Sequence, residues 1–149
     1  MSAPSTPFES AFLSGKVRKR SLPAFQPPTG SDAPALKRLL LPQGELAQFH
    51  DGPEPIHYQA YIELREGTVR GNHYHEVKEE FIYLIQGELL LVMEDIDSRT
   101  RESVSLQTGD LVVISPRVAH ALKILKHGHA IEFSTARFDV ADTHRHPLV

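Results

Sequence analysis

The chain has 149 residues, 40% hydrophobic and 23% charged, with a formal net charge of -3, which suits one domain with one core and gives no basic field for a nucleic-acid backbone. Cysteine is absent, which removes disulfides, thiolate metal sites and cysteine nucleophiles together and fits a reducing cytoplasm. No apolar run approaches the ~20 residues of a membrane span, and the first 20 residues lack the apolar stretch of an export signal, so a soluble cytoplasmic protein is expected.

Residues 1–35 carry Pro4, Pro7, Pro23, Pro27, Pro28 and Pro34, six of the eleven prolines, and show neither helical nor strand periodicity. They are expected to form a flexible proline-rich N-terminal arm, within which the basic run Lys16 to Arg20 is solvated. From residue 36 to 149 the texture is that of a single β-barrel domain, with short apolar runs between Gly, Pro, Asp and Asn. Strands are expected at Lys37–Leu41, Ile56–Leu64, Val69–Tyr74, Glu80–Ile85, Glu88–Glu94, Glu102–Leu106, Asp110–Ile114, Ala119–Leu125 and Ala130–Arg137. Turn signals fall at Gly67, Gly71-Asn72, Gln86-Gly87, Asp95 to Arg101, Gly109-Asp110 and Lys126 to Gly128. With no convincing amphipathic helix between them, the pattern predicts an all-β sandwich or double-sheet barrel. The run Phe81 to Ile85 is apolar on both faces. Phe81, Tyr83 and Ile85 would therefore need a second layer or a second subunit to cover them, and a homodimer is expected.

Histidine, at nine, is the unusual count. In a strand His73 and His75 point the same way, and a turn at Glu76 to Lys78 returns the chain so that Glu80 stands opposite them. Two imidazoles and a carboxylate suit one divalent ion, with Zn, Fe, Mn, Co and Ni all admissible. His120, on the strand face of Leu122 and Ile124, is the fourth candidate ligand. His127 and His129 are expected on a surface turn, His144 and His146 in a solvated tail. Tyr61 is a candidate proton carrier, Tyr83 a packing residue, and Arg117 the cation expected to meet a substrate phosphate or carboxylate. Arg70, Asn72 and Tyr74 face away from His73 unless Gly71 introduces a bulge.

These residues resemble a family. Gly67, His73, His75, Glu80 and Gly87 satisfy G-x5-H-x-H-x4-E-x6-G, the first signature of the cupins. The second, G-x5-P-x-G-x2-H-x3-N, is matched by Gly109 and His120, while Ser115, Arg117 and Ile124 replace its proline, glycine and asparagine. The resemblance implies a jelly-roll barrel with His73, His75, Glu80 and His120 as metal ligands. Arg70-Gly-Asn-His-Tyr-His75 and the ending Phe138-Asp-Val-Ala-Asp-Thr143 look like segments of cupins that act on nucleotide-linked sugars, namely the cupin domain of capsular-polysaccharide reductase/epimerases and the 4-keto-6-deoxyhexose 3,4-ketoisomerases. In the ketoisomerases the histidine pair is implied to move protons without a metal, and their carboxylate lies at the position of Glu79. Glu80 stands where the metal-binding epimerase type has its acid. The resemblance thus implies a small carbohydrate substrate and a metal-dependent epimerase or isomerase, with Glu79 as a second candidate proton carrier. An Fe- or Mn-dependent dioxygenase and a non-catalytic small-molecule binder would use the same ligands.

Overall fold

The computed structural model describes residues 10–30 and 32–149. Its strands are β1 (Ser10–Phe12), β2 (Val17–Ser21), β3 (Ala24–Phe25), β4 (Lys37–Leu41), β5 (Gly44–Gln48), β6 (Tyr58–Leu64), β7 (Val69–Tyr74), β8 (Glu80–Asp95), β9 (Arg101–Gln107), β10 (Asp110–Ile114), β11 (Val118–Ser134) and β12 (His144–Arg145). A 3-10 turn, Val140–Asp142, precedes β12. Among the described residues no helix is long and apolar enough to cross a membrane.

Two long strands organise a jelly roll. The first half of β8 pairs with β10 and with the second half of β11; its second half pairs with β9 and with the first half of β11. The second half of β11 also pairs with β6, and its first half with β7. Both long strands therefore pass from one face of the barrel to the other. The turns expected at Gln86-Gly87 and Lys126 to Gly128 are instead bends inside continuous strands, with register shifts between Ile124 and Ala130. A Cβ on Gly128 would stand 1.7 Å from the Gln86 carbonyl oxygen, so the crossing requires a residue without a side chain. The glycine signal was correct about local geometry and misleading about continuity.

Between the two faces lie Ile82, Leu84, Leu89, Leu91, Met93, Val112, Ile114, Leu122 and Ile124, all buried. Each large aliphatic withdrawn from water contributes roughly 1.5–3 kcal/mol. Glu80, Ile82 and Leu84 share one face of β8, as alternation requires, so the strand that fills the barrel also carries an acid to its end.

The opposite face of β8 is covered by the same chain. Strands β3, β4 and β5 form a small second sheet, and Phe49, which follows it, stacks on Tyr83 with ring centroids 4.5 Å apart. Leu22, Leu36, Ala47 and Ile56 complete a second apolar layer over Phe81, Tyr83 and Phe133. The exposed patch that motivated a homodimer is thus closed within one chain at Phe81 and Tyr83, while Ile85 keeps 38% of its surface exposed.

The flexible arm expected over residues 1–35 does not describe residues 10–25. Strand β2 pairs with β10, β1 pairs with β2, and Leu13, Val17 and Leu22 are buried. The basic run is not free in solvent either: Lys16 Nζ lies 2.7 Å from Asp95 and Lys19 Nζ 3.5 Å from Asp110. Backbone pairing to the open edge of β10 recruits a segment whose composition looks unstructured, because ladder hydrogen bonds are indifferent to side-chain type. Residues 1–9 of the expected arm lie outside the described residues.

Candidate active site

Strand β7 reaches the site through an irregularity. His73 pairs with His120, but Gly71 pairs with Ala121, leaving Asn72 as the extra residue of a bulge at φ 57°. Gly71 itself has φ 88°, and a Cβ there would meet the His120 carbonyl oxygen at 2.7 Å. The bulge anticipated from this glycine is present. It brings Arg70 and His73 to the same cavity.

His75 follows β7, Glu80 opens β8, and His120 lies near the start of β11. Candidate ligand atoms of His73, His75, Glu80 and His120 all fall within 4.8 Å of one another, and the last three residues are buried. His120 Nε2 is 2.8 Å from Glu80 Oε2, and His75 Nε2 is 3.9 Å from Glu80 Oε1. The outer ring nitrogens are tied to backbone: His120 Nδ1 to the Val118 carbonyl at 3.0 Å and His75 Nδ1 to the Asp142 carbonyl at 2.7 Å. In both rings the inner nitrogen is the one turned to the cluster. His75 Nε2, buried, has no hydrogen-bond partner among the described residues.

Electrostatics divide the three imidazoles. Burial, and then the charge of His120, push His73 down to about 4; burial is also the main cause that lowers His75. Both are neutral at pH 7. Burial works against the charged form of His120, but the Glu80 charge and hydrogen bond outweigh it and raise its pKa. Burial favours the neutral form of Glu80, and His120 overrides it to hold the carboxyl well below the ordinary range. Metal–nitrogen and metal–oxygen bonds near 2.0–2.2 Å place neighbouring ligand atoms about 3 Å apart. The short His120–Glu80 contact, the unpartnered His75 nitrogen and two neutral imidazoles therefore fit a divalent ion after a small contraction.

The cluster lies in a cavity of about 590 Å³ that Tyr58, Ile62, Arg70, Lys78, Glu132, Arg137, Phe138 and Asp142 also line. Lys78 Nζ is 2.6 Å from Glu132 Oε1 and 3.7 Å from Glu80 Oε1, and sits 4.5 Å from the centre of the Tyr58 ring. Burial disfavours the Lys78 ammonium, but the Glu132 hydrogen bond and the nearby carboxylates raise its pKa, so it stays charged. Burial first, then the neighbouring Glu80, push Glu132 up to about 7.

Two candidate proton carriers lie elsewhere. Tyr61 is on the outer face of β6, 60% exposed, with its hydroxyl bonded to His129 Nδ1. The side chain of Glu79 is not among the cavity-lining groups; its carbonyl accepts the Ser134 hydroxyl at 2.8 Å. Arg117, also outside the lining, pairs with Glu76 at 2.7 Å and Asp97 at 2.6 Å. Its φ of 64° explains why the motif has glycine there. His144 and His146 are not a loose tail: His144 stacks on Tyr74 at 5.0 Å, and His146 Nε2 is 2.8 Å from Glu94.

Glu132, Lys78 and Asp142 were not singled out from sequence. Glu132 carries a signal that strand alternation supplies: Ala130 and Ser134 on the same strand are fully buried, so an acid between them at period two faces inward. Lys78 and Asp142 come from a turn and from the C-terminal segment, which local periodicity does not place.

Residues 60–134, from β6 to the end of β11, match the family described as Cupin domain, and the chain belongs to that family. Among solved structures it is similar to the 3,4-ketoisomerase of Helicobacter canadensis, with 16% identity, 74% of this chain and 86% of that one covered and a TM-score of 0.65. The RmlC epimerase of Mycobacterium tuberculosis gives 12% identity, 90% and 70% coverage and a TM-score of 0.69. The 3'-monoepimerase ChmJ of Streptomyces bikiniensis, in complex with dTDP-quinovose, gives 15%, 91% and 71%, and 0.70. At these identities the likeness is one of fold. No curated protein matches the sequence.

Proposed function

We propose that this cupin is an isomerase or epimerase that moves a proton at the carbon beside the keto group of a sugar, with a nucleotide-linked 4-keto-6-deoxysugar as the substrate class. The observation that carries the reading is the placement of Glu132, whose carboxyl lines the same cavity as the imidazole cluster 2.6 Å from the Lys78 ammonium, with burial raising its pKa. A proton carrier works best with a pKa near the working pH. Among the described residues no serine or cysteine lines the cavity. Ketoisomerases and sugar epimerases among the similar structures support the same reading.

His73, His75, Glu80 and His120 would hold one divalent ion, which when bound supplies a Lewis acid for a carbonyl oxygen. Ionised Glu132 takes the proton from the carbon beside the carbonyl. The C–H electron pair becomes the enolate double bond, and the carbonyl oxygen gains the negative charge. Lys78, 2.6 Å from Glu132, offers its remaining N–H bonds to that oxygen. When the enolate oxygen is protonated and the hydroxyl on the deprotonated carbon gives up its proton to become the new carbonyl, Glu132 returns its proton to the former carbonyl carbon and the isomer forms. The epimer forms instead when a second acid delivers a proton to the opposite face of the original carbon. Arg70 and Arg137 at the cavity supply cations for an anionic substituent.

The test is incubation with a panel of nucleotide-linked 4-keto-6-deoxysugars in heavy water, with NMR following deuterium at the carbons beside the carbonyl. Exchange should depend on Glu132: Glu132→Gln should slow it roughly 10²–10⁴-fold while leaving metal content, read by elemental analysis, unchanged. No exchange above the buffer rate for any sugar, with metal supplied, would overturn the reading.

A further inference from the structure

One residue of the C-terminal segment grips the site twice. The Asp142 carboxylate accepts the backbone N–H groups of Glu76 at 2.8 Å, Val77 at 3.2 Å and Lys78 at 3.1 Å, while its carbonyl accepts Nδ1–H of His75 at 2.7 Å. These three amides form the turn between His75 and the strand that begins at Glu80. Burial would raise the Asp142 pKa, but the three amides prevail and hold it below its ordinary value. The segment around Asp142 is anchored independently. Asn72 Oδ1 accepts the N–H groups of Leu148 at 2.8 Å and Val149 at 3.2 Å, the Asn72 carbonyl accepts that of His146 at 2.7 Å, and His146 reaches Glu94. Removing the Asp142 carboxylate therefore leaves the tail attached while freeing the turn.

We propose that Asp142 is a positioning residue: by clamping the turn 76–78 with its carboxylate and accepting the hydrogen bond of His75 Nδ1–H on its carbonyl, it fixes one imidazole tautomer and presents a bare Nε2 to the cavity. A hydrogen bond on the outer nitrogen sets which nitrogen of an imidazole carries the proton. The carboxylate matters because it holds the Asp142 carbonyl in register with that ring. The inference rests on the functional reading only in making His75 a working group of the cavity.

The experiment uses the full-length chain labelled with ¹⁵N-histidine at pH 8, where long-range ¹H–¹⁵N correlations report the tautomer of each ring, and Co(II) alone as the metal probe. The parent should show His75 protonated at Nδ1 only. Asp142→Ala should give a mixture of tautomers and Co(II) binding weaker by about 10–100-fold, with the amide spectrum of the barrel strands retained. Should Asp142→Ala fail to fold, Asp142→Asn, which keeps one acceptor oxygen, is read in its place. Glu94→Gln, which loosens the tail at His146 without touching the turn, should leave the His75 tautomer as in the parent. A single Nδ1–H tautomer with parental Co(II) affinity in the folded Asp142 variant, or equal scrambling in Glu94→Gln, would overturn the proposal. Neither measurement uses a sugar, so failure of the exchange assay and failure of this inference are separate results.

Discussion

Gly71 governs the position of His73 through a backbone constraint that no side-chain contact could replace. It combines φ 88° with a Cβ clash against the His120 carbonyl oxygen at 2.7 Å, whereas Gly67, at φ 82°, faces open space. Gly67→Ala should incur only the left-handed penalty of about 1–2 kcal/mol. Gly71→Ala should lose a further ~1–3 kcal/mol of overpacking, and because the obstacle is the peptide carbonyl of His120, Co(II) binding should weaken with it. Urea unfolding midpoints of the two variants, with Co(II) titration of each, check this; equal losses would refute the steric argument. The same scale shows what sequence can read. The spacing of His73, His75 and Glu80 determined that these three side chains meet, because alternation and one short turn leave little freedom, and the resemblance to the cupins implied His120 as the fourth. Glu132 and Lys78 depend on which strand lies opposite, and that is decided by pairing.

At the scale of elements, strand β12 and the residues after it turn the C-terminal segment into a wall of the cavity. Glu94, buried near the end of β8, holds that wall through His146 Nε2 at 2.8 Å while Arg101 Nε approaches it at 2.6 Å. The Arg101 hydrogen bond is the main cause that holds the Glu94 carboxyl below its ordinary value of 4.5; burial opposes it and His146 adds to it. A carboxyl depressed in the folded state contributes stability that is present above the unfolded value and lost as pH falls through the folded one. Glu94→Gln should therefore be less stable than the parent at pH 7, by about 1 kcal/mol because Arg101 is largely exposed and screened. That gap should close as the pH is taken below 4.5 towards 3. Denaturant titrations of both proteins at pH 7 and pH 3.5 measure it, and a gap independent of pH would refute the assignment. Strands β4, β6, β7, β9 and β10 and the separate halves of β8 and β11 were legible in sequence because short apolar or alternating runs stand between Gly, Pro, Asp and Asn turn signals. Strands β1, β2 and β12 were not, since such short strands are held by backbone bonds that leave no period in their side chains.

For the whole molecule, the decisive feature is that the chain supplies its own second layer. Phe49 stacks on Tyr83 at 4.5 Å and packs against Phe133 at 5.7 Å, closing an apolar face that the alternation of β8 leaves outside the barrel. Phe49→Ala should lower stability by about 2–4 kcal/mol and uncover Phe81 and Tyr83. Sedimentation should then show concentration-dependent association beyond that of the parent; identical sedimentation of the two proteins would mean the remaining layer suffices. The sequence by itself determined the all-β class and the meeting of His73, His75 and Glu80, because period-two alternation and ligand spacing act over short stretches of chain, while the jelly-roll barrel and the place of His120 beside them were implied by the cupin resemblance. Only the tertiary structure decided that β1 and β2 join the sheet of the barrel, that β8 and β11 run unbroken through their glycines, and that Glu132, Lys78 and Asp142 complete the cavity. Each of these is set by which backbone edges and faces meet, a relation between segments far apart in the chain that no local pattern encodes.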